Sequence, residues 1–176
     1  IANHLLQFRG MRVDPANILI GAGTDFLYNL LIQLLGRDKR YAVEDPGYHK
    51  IRKIYGAGGV ECVSAPMDAF GVMPDRLAGA QILHCSPSHH FPTGIVTPAA
   101  RRRQLLEWAN AAPERCIIED DYDSEFRFHA HPVPSLMSMD HAGRVIYMNT
   151  FSKTLAPSIR ISYMILPPAL MARFRE

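Results

Sequence analysis

The residues best equipped for chemistry lie in the stretch NTFSKTLAPSIRISY, positions 149–163. Thr150, Ser152 and Lys153 follow a β-rich run closely, and Arg160 comes seven residues after the lysine. Hydroxyls and a guanidinium fork suit a phosphate dianion. A lysine amine held among cations and partly desolvated has a lowered pKa, which makes it nucleophilic enough for a Schiff base. Taken alone, a Ser-Lys pair reads more readily as a surface lysine, so the case rests on what accompanies it.

Other short segments accompany it. ILIGAGTDF at 18–26 runs a strand into Gly21-Ala22-Gly23-Thr24 and then a helix. Glycines admit an anion to the backbone, and the N–H groups of a new helix bind phosphate; a plain strand-to-helix turn is the alternative. The segment has neither a Walker lysine nor a third dinucleotide glycine. VEDPGY at 43–48 ends a strand and presents Tyr48, which either stacks on a flat ring or is a core tyrosine. SPSHHFPTG at 86–94 is a rigid loop whose His89 and His90 suit the wall of a cofactor site better than a metal. IIEDDYDSEF at 117–126 delivers Glu119, Asp120, Asp121 and Tyr122 to a strand end. Those carboxylates could bind magnesium. Alternatively, one pairs with a pyridinium nitrogen while the tyrosine reaches a neighbouring phenolic oxygen.

The elements that must position these residues are β-rich runs at 17–20, 41–44, 60–63, 81–84, 115–118, 145–148 and 161–166. Several are apolar without alternation, as expected of strands covered on both faces. Between them lie helical patterns. At 25–35 the apolar positions 26, 27, 30, 31, 34 and 35 form one stripe opposite Asp25, Asn29 and Gln33. A second helix is expected at 98–112, with Pro98 in its first turn. Alternating strands and helices predict an α/β three-layer sandwich around a mostly parallel sheet of roughly seven strands. The chemistry-bearing segments then sit at strand ends, where open α/β sheets bind ligands.

Composition narrows the classes. Hydrophobic residues make up 48% and charged residues 20%, ordinary for a globular domain, and a formal net charge of +2 is too weak a bias to argue for nucleic acid. The basic run Arg101-Arg102-Arg103 reads as a solvated helix face. Cys62, Cys85 and Cys116 are odd in number and far apart, which suits buried thiols in a reducing cytoplasm. No apolar run approaches the roughly 18 residues of a membrane span, and no signal peptide is visible. The chain starts at Ile1 inside one helix-like stretch and stops at Glu176 inside another, and is read as a piece of a longer protein.

Together, EDPGY, PSHHFPTG, EDDYDSEF and TFSKTLAPSIRISY resemble the fold-type I aminotransferases, and more narrowly the MocR/GabR regulators of the GntR group. The resemblance covers essentially the whole chain. It implies that residues 1–176 are the large domain that binds pyridoxal 5'-phosphate, with Lys153 holding the cofactor as a Schiff base. It further implies Asp120 at the pyridine nitrogen, with Asp121 the second candidate, Tyr122 at the ring oxygen, and Tyr48 on the ring face. Gly23, Thr24, Thr150, Ser152 and Arg160 would hold the phosphate, and His89 would stand in the cofactor wall.

Phe91 departs from the aminotransferase pattern, which has asparagine before P-T-G; the regulator branch shares the change. The implied function is effector sensing, with an amino acid or other small amine entering at Lys153 and no efficient transamination. The alternatives are the large domain of an active class I/II aminotransferase and an α/β domain with a vestigial site. Contact with DNA would require a winged helix-turn-helix outside these residues. A small domain carrying the carboxylate-binding arginine, and a head-to-tail homodimer, are implied for the parent protein.

Overall fold

The computed structural model describes residues 1–77, 79–123, 133–152 and 158–176. The strands are β1 (Ile18–Gly21), β2 (Arg40–Asp45), β3 (Glu61–Asp68), β4 (Gly71–Val72), β5 (Ile82–Cys85), β6 (Cys116–Asp120), β7 (Val145–Thr150) and β8 (Ser162–Ile165). The helices are α1 (Ala2–Arg9), α2 (Thr24–Leu35), α3 (His49–Ala57), α4 (Ala99–Asn110), α5 (Leu136–Met139) and α6 (Pro168–Arg175).

The strands form one eight-stranded sheet in the order β1-β8-β7-β6-β5-β2-β3-β4. β7, β6, β5, β2 and β3 pair in parallel. β8 is antiparallel to both β7 and β1, so β1 runs with the parallel set. The sheet thus has one strand more than the sequence predicts. The addition is β4, which turns back on the end of β3 through Met67↔Val72 and Asp68↔Gly71. Two residues are too few to show a period, so this strand exists only through its pairing.

Strand alternation divides the core into two faces. Tyr41, Val43, Ile82, Cys116, Ile118, Ile146 and Met148 pack with Leu27, Leu31, Ile51, Tyr55 and Met171, which places α2, α3 and α6 on one face. Ala42, Leu83, Ile117 and Val145 pack with Leu105, Leu106, Trp108 and Leu136, which places α4 and α5 on the other. Leu5 of α1 meets Tyr147, Tyr163 and Ile165. A fully buried Leu or Ile contributes about 1.5–3 kcal/mol, so both layers are held chiefly by such contacts.

The α2 stripe is rotated from the expected one. Tyr28 and Ile32 are buried, whereas Phe26 is 52% exposed. Pro98 caps α4 from just outside rather than sitting in its first turn. Cys85 and Cys116 are buried and Cys62 half-buried, all as free thiols. Among the described residues no helix is long and apolar enough to cross a membrane.

The chain steps from β2 outward to β3, then returns to the other side of β2 to make β5. That reversal leaves a crevice between the carboxyl ends of β2 and β5, the usual ligand position in such sheets.

Candidate functional site

A cleft of about 370 Å3 lies at this crevice. Glu44 from the end of β2, Ser86 after β5, Asp120 and Tyr122 from the end of β6, and Thr150 from β7 line it. Thr24 and Tyr28 of α2 enter from one helix layer, with Tyr48 and Phe91 also in the wall. Of the sequence-predicted residues, Thr24, Tyr48, Asp120, Tyr122 and Thr150 therefore share one space.

Asp120 is 5% exposed, on the α2–α3 face of the sheet. Its Oδ2 accepts a 2.6 Å hydrogen bond from the Tyr28 hydroxyl, and His84 Nε2 lies 3.5 Å away. The Tyr55 hydroxyl is 2.6 Å from His84 Nδ1. Burial pushes Tyr55 well above the ordinary phenol range, so it stays protonated and donates. The imidazole proton is then on Nε2, facing Asp120. Asp120 Oδ1, by contrast, is buried with no hydrogen-bond partner among the described residues. An isolated buried carboxylate oxygen is costly, and this one borders the cleft.

The neighbouring carboxylates point elsewhere. Glu119 turns to the opposite face, where its oxygens accept from the N–H groups of Leu136 at 2.8 Å and Met137 at 2.9 Å. Asp121 Oδ2 accepts from the Tyr147 hydroxyl at 2.6 Å and meets Arg9 Nε at 3.0 Å. One strand thus sends successive acids to different sides, which separates the carboxylates that a shared magnesium ion would need.

A second group of polar atoms gathers around the N-terminus of α2. Gly23 caps the helix with φ +99 and no side-chain cap bond. The Arg160 guanidinium comes within 2.7 Å of where a Gly23 Cβ would stand, and the positive φ favours glycine here. Thr150 Oγ1 donates to Ser152 Oγ at 3.1 Å and accepts from Ser162 Oγ at 2.9 Å. Lys153 lies outside the described residues.

The 86–94 loop closes the other side. The Tyr122 hydroxyl donates to the His89 carbonyl at 2.8 Å, and the two rings stack at 6.3 Å. His89 also pairs through Nδ1 with Asp123. Tyr48 is 44% exposed and meets Phe91 edge-on at 6.1 Å, so these two rings frame the mouth.

The geometry is a cleft at the sheet's switch point, with Thr24 and Thr150 in its wall and a carboxylate oxygen that has no hydrogen-bond partner among the described residues. The family model for aminotransferase class I and II matches residues 1–176. The chain belongs to that family. It is 44% identical over 173 residues to YhdI, an uncharacterized HTH-type transcriptional regulator of Bacillus subtilis, covering 97% of this chain and 37% of that protein. It is 38% identical to the HTH-type pyridoxine biosynthesis transcriptional regulator PdxR of Corynebacterium glutamicum, over 95% of this chain and 37% of that one. The crystal structure of Pyrococcus horikoshii kynurenine aminotransferase superposes with a TM-score of 0.86 at 26% identity, covering 98% of this chain and 45% of that one. The chain therefore spans less than half the length of each of these relatives.

Within this aminotransferase class I and II chain, several site residues escape a reading of the sequence. Tyr28, Tyr55, His84 and Glu44 come from α2, α3, β5 and β2, and only the packed sheet brings them together. A polar residue inside an otherwise apolar strand, such as His84 in ILHC, is the one signal that could have marked them. The basic run also needs correction. Arg103 is exposed, but Arg102 is fully buried and Arg101 is tied to Asp68 at 2.7 Å. Arg102 donates to the carbonyls of Thr97 at 2.9 Å, Pro87 at 2.8 Å and Pro134 at 3.0 Å, and reaches Glu119 at 3.5 Å. A guanidinium has five donors in a fixed fork, enough to satisfy four acceptors at once, which is why it can be buried.

Proposed function

We propose that this chain is the pyridoxal 5'-phosphate-binding, effector-sensing part of a GntR/MocR-type transcription regulator. The observation that carries the reading is Asp120 Oδ1, buried and without a hydrogen-bond partner among the described residues, beside a cleft that also holds phosphate-suited hydroxyls. Pyridoxal phosphate has a ring nitrogen that carries a proton and a phosphate dianion, and the donors and acceptors here fit both. When bound, the cofactor supplies an aldehyde that condenses with amines and a ring that withdraws electrons.

This chain's own residues would do the rest. Asp120 holds the proton at the ring nitrogen, while the Tyr28 hydroxyl keeps its other oxygen occupied. Thr24, Thr150, Ser152, Arg160 and the backbone at Gly23 take the phosphate. Tyr48 covers a ring face, Tyr122 stands near the ring oxygen, His89 walls the loop side, and Lys153 makes the covalent attachment. The effector is an amino acid or other small amine that displaces Lys153. DNA is contacted only through another part of the parent protein, a reading supported by the HTH-type relatives. We take residues 1–176 as one large domain of a cytoplasmic homodimer.

The alternative, a working aminotransferase, is supported by the likeness to the kynurenine enzyme. Sensing is preferred because Phe91, an apolar side chain, stands at the cleft where the resembling enzymes carry asparagine.

The test is a titration of the purified protein with pyridoxal phosphate. A visible absorbance band should appear, borohydride should fix the cofactor mass on Lys153, and Lys153→Ala should lose the band. Equal labelling of other lysines would remove the central claim. Rapid release of a keto acid from any member of an amino-acid panel would replace sensing with transamination.

A further inference from the structure

Helix α1 lies on the face of the sheet opposite the cleft, and the proposed function gives it no task. Its Leu5 is fully buried against Tyr147, Tyr163 and Ile165, which alternate along β7 and β8 with residues of the α2 side. The helix stops at Gly10, whose φ of +65 suits glycine and whose N–H donates back to the Leu5 and Leu6 carbonyls. Arg9 is therefore the last residue of α1, where a cation suits the negative end of the helix dipole. Its side chain is 10% exposed. Nε stands 3.0 Å from Asp121 Oδ2, and Nη2 donates to Ser88 Oγ at 3.2 Å.

Those two partners belong to separate stretches of chain, and each stretch lines the cleft with other residues. Asp121 stands between Asp120 and Tyr122, and Ser88 between Ser86 and Phe91 in the loop after β5. A third strand end rests on the same helix: the His4 ring meets Phe151 edge-on at 5.5 Å, and Phe151 lies between Thr150 and Ser152. Alternation sends Asp120 to the cleft only while Asp121 is held on the far face. The Arg9 ion pair and the Tyr147 hydroxyl hold it there. A guanidinium presents its donors in a rigid planar fork, so one side chain can fix the spacing of two segments; an ammonium is a point charge and cannot.

We propose that Arg9 is a positioning residue for the cleft: from the far side of the sheet it ties the end of β6 to the loop after β5. The tie sets how Asp120 and Tyr122 stand relative to Ser86 and Phe91. Arg9 itself touches no ligand. The tie is a property of the ligand-free protein; its effect on the cofactor rests on the pyridoxal phosphate reading.

The test compares Arg9→Met, Arg9→Lys and Ser88→Ala in the purified protein, each first shown to be folded by its urea transition. Arg9→Met should weaken pyridoxal phosphate binding about ten-fold. Arg9→Lys keeps a cation at Asp121 and gives up Ser88, so it and Ser88→Ala should each weaken binding about three-fold. Combining those two should weaken it no further, because they remove the same contact. Wild-type affinity in a folded Arg9→Met or Arg9→Lys variant leaves Arg9 purely structural and overturns the proposal; so do losses that multiply in the combined variant. Should Arg9→Met not fold, the Arg9→Lys and Ser88→Ala pair carries the same decision. In the ligand-free protein, Arg9→Met, or Arg9→Lys in its place, should shift the amide signals of Ser86, Phe91, Asp120 and Tyr122. Shifts confined to α1, Ser88 and Asp121 overturn the tie. If the wild type takes up no cofactor, the proposed function falls and the amide signals decide the tie. If the wild type and Arg9→Met bind equally, the tie falls and the proposed function stands.

Discussion

The end of β6 has two sides that use the same residue types to opposite ends. On the α4 side, Arg102, Glu119, Asp121, Arg9 and Tyr147 form a dense polar network in which Arg102 and Glu119 are both fully buried. Among the described residues Asp121 Oδ1 and Arg9 Nε make no hydrogen bond, but the two groups form an ion pair. On the α2 side, Asp120 and Glu44 lie in the same cleft, and an oxygen of Asp120 and a nitrogen each of His84 and His90 make no hydrogen bond among the described residues. A satisfied network fixes structure, while an unsatisfied one costs stability and is available to a ligand. Glu119 and Asp120 are adjacent in sequence, so strand alternation alone assigns them to structure and to the site.

The sharpest way to break this contrast is Arg102→Met. It leaves Glu119 buried without a cation and three carbonyls without donors, and should cost about 3–5 kcal/mol in urea denaturation. An effect below about 1 kcal/mol would mean that the network is not a structural centre.

Glu44→Gln probes the other side through pH. The folded-state pKa is raised, so the stability Glu44 contributes is full below its ordinary value of 4.5 and is lost as pH rises to about 8. The variant should escape that loss and gain on the wild type across this window by on the order of 2–4 kcal/mol. Denaturation midpoints at several pH values measure it, and a gap that narrows with rising pH would contradict the assignment.

A matched pair of substitutions comes next. Asp121→Asn should cost about 1–3 kcal/mol and leave the cofactor absorbance unchanged. Asp120→Asn should alter that absorbance and its pH response. The reverse ranking would move the ring-nitrogen role by one residue and to the other face of the sheet. The smallest effect is expected from Tyr55→Phe, about 1 kcal/mol, accompanied by a change in the His84 ring-nitrogen shifts. Unchanged shifts would show that Tyr55 does not set the tautomer.

Much of this was legible in the residues. Runs such as 115–118 and 145–148 located the central strands because both of their faces are covered. Asp120, Tyr122, Thr150 and Thr24 could be read as site candidates because open α/β sheets expose strand ends. β4 could not be read, since it follows from the length of β3 and not from its own two residues. Arg102 was misread for a related reason: a helix pattern says which face a residue is on, but not that carbonyls from two loops and a carboxyl will meet there. The Tyr55–His84–Asp120–Tyr28 contacts likewise depend on which strands neighbour one another, which no local pattern carries.

The burial of Arg102 also bears on how the molecule is assembled. Its acceptors come from Pro87, Thr97, Glu119 and Pro134, on separate stretches of chain before and after the helix that carries it. A guanidinium gives up its water only when replacement acceptors are present, so no subset of these stretches can bury it alone. The loop, the end of β6 and the start of α5 must therefore close together and open together. The Leu136 and Met137 N–H groups bound to Glu119 report on that event, and belong among the amides that exchange only when this cooperative unit opens.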